Sequence, residues 1–195
     1  MKKLLTIAAA SALALSGSAL LNAQAKPPSR SSAAKTASSA SADQTFVRKA
    51  AAGGMAEVEL GKLATDKATN PQVKAFGQKM ADDHGKANDE LKTLAKNKNI
   101  TLPSSLDARD QALKDRLSKL SGDAFDKAYM QAMLKDHRAD ISEFNRESKS
   151  GKDPDVKSWA AKTLPTLESH LKLAQDDTKA VGTSGMKKSK TPKGR

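Results

Sequence analysis

The chain has no cysteine. That absence excludes a disulfide framework, a thiolate metal site and a cysteine nucleophile, so the fold must rest on its core alone. Aromatic residues are scarce: one Trp, one Tyr and four Phe in 195 residues. Trp159, Tyr129, Phe46, Phe76, Phe125 and Phe144 read as core or core-edge residues, not as a stacking platform for bases. No long apolar run follows residue 21, so nothing beyond the N-terminus is fit to span a bilayer. No β-branched or alternating run supports a strand. Gly53-Gly54 is not a phosphate loop, because neither a strand nor a Lys-Ser/Thr pair accompanies it. The serines form no evident Ser-His-Asp arrangement.

What is present begins with a secretory signal. Met1-Lys2-Lys3 is a short basic start, Leu4 to Leu21 is an apolar and small-residue run, and Ala23-Gln24-Ala25 is a small-x-small cleavage motif. Cleavage after Ala25 leaves a mature chain from Lys26 to Arg195, with the periplasm or the outer envelope as destination. Residues 26–42, rich in Ser, Ala, Pro and Lys, show no apolar periodicity and read as a disordered spacer. Residues 43–181 carry helical periodicity, and 182–195 read as a disordered basic tail.

The formal charge of +12 is concentrated at the ends. Lys2 and Lys3 leave with the signal; residues 26–45 carry a net +2, residues 179–195 a net +6, and residues 46–178 only +2. A basic tail of this kind fits an anionic envelope surface. Export argues against a nucleic-acid partner.

Four long helices and one short one are predicted. The first runs from about Asp43, a candidate cap, to Ala68. Asn70-Pro71 starts the second, which reaches about Lys98. A loop with Pro103 and a short helix over 106–120 lead to the third long helix, about 123–149. Asp153-Pro154 starts the fourth, which reaches about Ala180. Short links within each half and a long middle crossover with its own helix predict an all-α, antiparallel, ferritin-like four-helix bundle.

The core stripes of these helices carry polar residues. Glu57, His84, His137 and His170 all fall on stripes otherwise filled by apolar or small residues. Glu57, His84 and His137 are near mid-helix and should share a level; His170 is expected about one turn away. Three imidazoles and a carboxylate suit Zn, Fe or Cu. The same residues also make sense as a hydrogen-bonded layer that fixes helix register. Asp83 and Asp136 are expected to face solvent or to cap a neighbouring interaction, and Asp140 to support His137. Met80 and Met133, each one turn before a histidine, can be copper ligands or core filling. No Glu-x-x-His pair exists, which argues against a two-iron oxidase.

Several blocks resemble one widespread bacterial family: Gly54-Met55-Ala56-Glu57-Val58-Glu59-Leu60-Gly61, Asn70-Pro71-Gln72-Val73, Met80-Ala81-Asp82-Asp83-His84, Asp136-His137 and Leu164-Pro165-Thr166-Leu167-Glu168-Ser169-His170. The family is the exported domain-of-unknown-function family 4142, whose members are often labelled outer membrane proteins. The resemblance implies a ferritin-like four-helix fold and no established activity. It carries over Glu57, Glu59, His84, His137 and His170 as candidate metal ligands. A helical bundle with polar faces is no transmembrane barrel. Two functions follow as expectations: a non-enzymatic envelope protein that binds a metal ion or small ligand in its Glu/His layer, or an interaction module whose polar core is purely structural.

Overall fold

Asn70 and Asp153 start two helices by the same device. Asn70 accepts a hydrogen bond from the Gln72 amide at 2.8 Å with Pro71 in the first helical turn, and Asp153 accepts from the Asp155 and Val156 amides at 3.0 and 3.2 Å ahead of Pro154. The structure, a computed structural model, describes residues 30–188, with side chains from 42 to 182. It contains α1 (Arg30–Lys67), α2 (Pro71–Asn97), α3 (Ala108–Ser118), α4 (Gly122–Ser150) and α5 (Pro154–Lys188), and no strand among the described residues. The predicted signal at 1–25 and residues 189–195 of the tail lie outside the described residues. No described helix is long and apolar enough to cross a membrane.

Two boundaries differ from expectation. α1 begins at Arg30, inside the predicted spacer, and α5 continues to Lys188, into the predicted tail. Residues 30–42 are rich in alanine, the residue of highest helix propensity, but carry no apolar stripe, so periodicity does not reveal that extension; the composition of 182–188 does not explain the other. Asp43 is consequently not the cap of α1. It lies within that helix, 5 % exposed, and accepts from the Lys152 amide at 3.0 Å and the Asp153 amide at 2.7 Å, holding the turn between α4 and α5.

A second buried carboxylate does the reciprocal job. Asp126, near the start of α4, accepts from the Thr69 amide (3.2 Å), the Thr69 hydroxyl (2.8 Å) and the Asn70 amide (2.9 Å). Each helix pair thus has its turn held by a carboxylate from the other pair. Within the pairs, α1 packs mainly on α2 and α4 on α5. Gly61 meets Gly77, and Gly54 meets Asn88, so contacts advance in opposite senses along α1 and α2. A Cβ on Gly61 would lie 2.5 Å from the Gly77 carbonyl oxygen, which is why this closest approach takes glycine on both sides.

The apolar core is split in two. One cluster gathers Leu60, Phe76, Met80, Phe125, Tyr129 and Met133; the other gathers Phe46, Leu91, Phe144, Trp159 and Leu167. On every long helix the residue that falls between the two clusters is polar: Glu57 on α1, His84 on α2, His137 on α4 and His170 on α5.

Candidate metal centre

All four of those residues are buried: Glu57 is 1 % exposed, His84 7 %, His137 and His170 0 %. His170 is not displaced by a turn from the others, as helix counting had suggested. Its Nδ1 lies 3.3 Å from His137 Nε2, a level set by how α4 and α5 pack together, which a single helix's sequence does not encode. Ring nitrogens of His84, His137 and His170 lie within 4.8 Å of one another.

The outer side of each ring has a fixed neighbour. His137 Nδ1 is 3.0 Å from the Met133 carbonyl. A carbonyl only accepts, so Nδ1 carries the proton and Nε2 presents a lone pair. His170 Nε2 is 2.9 Å from Asp83 Oδ2, and His84 Nδ1 is 2.9 Å from Glu57 Oε2. His84 Nε2 is buried without a hydrogen-bond partner. With protons on the nitrogens facing Asp83 and Glu57, each ring keeps one bare nitrogen: His137 Nε2, His170 Nδ1 and His84 Nε2. The hold of a backbone carbonyl on His137 and of a carboxylate on His170 is the arrangement that fixes tautomers around metal-binding histidines; His84 has Glu57 close by without a well-directed hydrogen bond.

Electrostatics favour the neutral rings. Burial pushes His84 and His170 down to about 4, the latter against the pull of Asp83, and lowers His137 as well. Burial pushes Glu57 up to about 7. Both Glu57 oxygens lack a well-directed hydrogen bond even though His84 Nδ1 and His137 Nδ1 stand 2.9 and 3.2 Å away. The His137 proton aims instead at Met133, so these contacts are close in distance but poor in angle.

The other expected participants divide. Glu59 is not in the cluster: two residues along a helix turn the side chain roughly 200°, and it pairs with Lys114 at 2.8 Å on a partly exposed face. Met80 and Met133 are fully buried within an apolar cluster, the placement of core filling. Asp83 does not merely face solvent; it holds His170. Asp136 and Asp140 bring carboxylate oxygens within 4.8 Å of Glu57. The sequence signal for Asp83 was its place beside His84, but its partner is on another helix.

The sequence profile of a family described as a domain of unknown function, DUF4142, matches residues 27–176. No curated protein matches the chain. Among solved structures, a DUF305 protein from Streptomyces coelicolor described as secreted is similar with a TM-score of 0.63 at 17 % identity, over 72 % of this chain and 92 % of that one. A DUF305 fragment from Deinococcus radiodurans is similar with a TM-score of 0.63 at 10 % identity, over 73 % and 96 %. CopM in its Cu(I)-bound form is similar with a TM-score of 0.58 at 16 % identity, over 69 % and 93 %. At these identities the likeness is one of fold.

Proposed function

The chain belongs to the domain-of-unknown-function family DUF4142, which brings no activity with it, and we propose from its geometry that it is an exported, non-enzymatic metal-binding protein whose three core imidazoles hold one copper-class ion. One observation carries this reading. No assignment of neutral tautomers satisfies the row Met133 carbonyl, His137, His170, Asp83. If His170 Nδ1 donates to His137, its bare Nε2 faces the Asp83 carboxylate at 2.9 Å. If Nε2 donates to Asp83, two lone pairs face each other at 3.3 Å. A cation between them removes the conflict. Two nitrogens at about 2.0–2.1 Å from a tetrahedral ion stand roughly 3.3 Å apart, and His84 Nε2 supplies a third donor.

Imidazole suits Cu, Zn and Fe alike. Copper is favoured here because CopM, a protein of similar fold, is solved in Cu(I)-, Cu(II)- and Ag-bound forms. Asp83 also lines a surface cleft of about 190 Å³ between α2 and α5, beside Lys86, Glu90 and Lys162, so the outer edge of the site reaches the surface. Glu57 offsets charge once the ion is seated. The wider frame of the proposal is an antiparallel, ferritin-like four-helix bundle with α3 in its crossover, resident in the periplasm or outer envelope, with the basic tail against an anionic surface.

Untagged full chain should bind one equivalent of Ag⁺ or Cu⁺, and at a hundredfold excess over Kd the stabilisation should be about 2.7 kcal/mol. The His84→Ala/His137→Ala variant should lose both effects. A folded wild type that takes up neither Ag⁺, Cu⁺ nor Zn²⁺ stoichiometrically would overturn the proposal. The rival reading, a purely structural layer, is favoured by the same 3.3 Å contact taken as a hydrogen bond to a His170 cation clamped by Asp83. It requires protonation of a ring that burial holds down to about 4, and it predicts no metal in either protein.

A further inference from the structure

Beside the imidazoles lies a group of a different chemical kind. Glu57 on α1 and Asp136 and Asp140 on α4 each offer a carboxylate oxygen, and the three lie within 4.8 Å of one another. Asp136 and Asp140 are one helical turn apart, so both reach the same side of α4. Asp136 Oδ1 is paired with Arg109 of α3 at 3.3 Å, a side chain 72 % exposed. Surface acidic clusters of this size are ordinary. What sets this one apart is Glu57, which is 1 % exposed with neither oxygen in a directed hydrogen bond. A buried carboxylate normally accepts several hydrogen bonds or faces a cation. A cavity of about 20 Å³ also adjoins Glu57, His84 and Asp140, room for about one water or one ion.

We propose that Glu57, Asp136 and Asp140 form a second cation site, for a hard divalent ion such as Mn²⁺ that takes oxygen donors, next to the imidazole site and sharing Glu57 with it. Oxygens on a common ion at about 2.1–2.5 Å stand no more than roughly 5 Å apart, and these three meet that limit. Oxygen-only donors select against copper and silver, so the two sites sort ions by softness. The carboxylate site does not need the imidazole site to be filled.

The test is Mn²⁺ titration of the untagged full chain at neutral pH, followed by the loss of the free-ion electron paramagnetic resonance signal. Wild type should bind one Mn²⁺. Asp140→Asn should weaken that binding at least tenfold and keep its Ag⁺ equivalent, whereas His170→Ala should keep Mn²⁺ and lose Ag⁺. Asp136→Asn, at a more accessible position, serves as a second variant should the first misfold by circular dichroism. Absence of Mn²⁺ uptake at millimolar concentration by folded wild type overturns the second site. So does uptake that both aspartate variants retain in full, and so does Mn²⁺ binding that disappears only with His170. A protein that binds Ag⁺ but no Mn²⁺ would refute this site and leave the copper-class reading standing.

Discussion

Asp126 and Glu57 are equally buried, each 1 % exposed, and both sit on helices that form the core. Their surroundings are opposite. Asp126 accepts three hydrogen bonds from Thr69 and Asn70 across the turn between α1 and α2. Glu57 lies among imidazoles and carboxylates with no directed hydrogen bond on either oxygen. Burial alone therefore separates nothing. A carboxylate that accepts several hydrogen bonds across a turn is part of the scaffold. One held in the core without such donors carries an uncompensated desolvation cost, the condition under which a bound cation would stabilise it. Asp43 falls with Asp126, since it holds the α4–α5 turn through the Lys152 and Asp153 amides.

The largest effect should come from removing a scaffold carboxylate. Asp126→Ala removes the partner of three donors at a partly exposed turn and empties a buried position, a loss of about 3 kcal/mol, read by urea denaturation. A loss under about 1 kcal/mol would mean that water replaces the carboxylate and that the contrast with Glu57 is empty. Next in size is the α1–α2 contact. Gly61→Ala sets a Cβ 2.5 Å from the Gly77 carbonyl oxygen and 2.9 Å from the Ala81 amide nitrogen, both backbone and unable to step aside. The cost should be about 1–3 kcal/mol. Gly53→Ala meets nothing within 4 Å and should gain up to about 1 kcal/mol from helix propensity. Equal behaviour of the two alanines would refute the close approach.

Much of this was visible in the sequence, for identifiable reasons. Asn70-Pro71 and Asp153-Pro154 mark helix starts through local chemistry, and the structure starts α2 and α5 at those prolines. Glu57, His84, His137 and His170 betrayed themselves as polar residues on apolar stripes, a signal internal to each helix. What lay beyond reach was relation between helices. The level of His170, the grip of Asp83 on it, and the approach of Asp136 and Asp140 to Glu57 all depend on axial offset and rotation between separate elements. The turn carboxylates were hidden likewise, because Asp43 and Asp126 act on donors distant in sequence. Glu59 was carried by resemblance alone, and the helical repeat turns it away to Lys114.

A smaller effect sharpens the status of Glu57 itself. Glu57→Gln keeps the shape of the protonated side chain and removes a charge that burial opposes. Without metal, stability at neutral pH should change by less than about 1 kcal/mol, or rise. Silver affinity should fall by roughly 10–100-fold, because the negative charge beside the imidazoles that offsets the seated ion is lost. Calorimetry on the apo and silver-loaded proteins measures both. A large loss in the apo protein would place Glu57 with Asp126 among the scaffold carboxylates.

Glu147 is an intermediate case and gives the smallest effect. It is 5 % exposed, its Oε1 has no hydrogen-bond partner, and it stands beside Asp43 at the far end of the bundle from Asp126. Burial first, and then Asp43, push its carboxyl from an ordinary 4.5 up to about 7; Arg146 and Lys157 pull the other way. The folded protein thus holds a proton that the unfolded chain gives up at lower pH. Its contribution to stability is full below about 4.5, declines as pH rises toward 7, and is gone above that. Glu57 and Asp140 are also raised, so total stability against pH does not isolate it. The readout is the difference between wild type and Glu147→Gln in urea denaturation across pH 4 to 8. Wild-type stability relative to the variant should fall with rising pH through that window and level off above it. A flat difference would mean that Glu147 is already satisfied, by water or by Lys157, and belongs with the scaffold group.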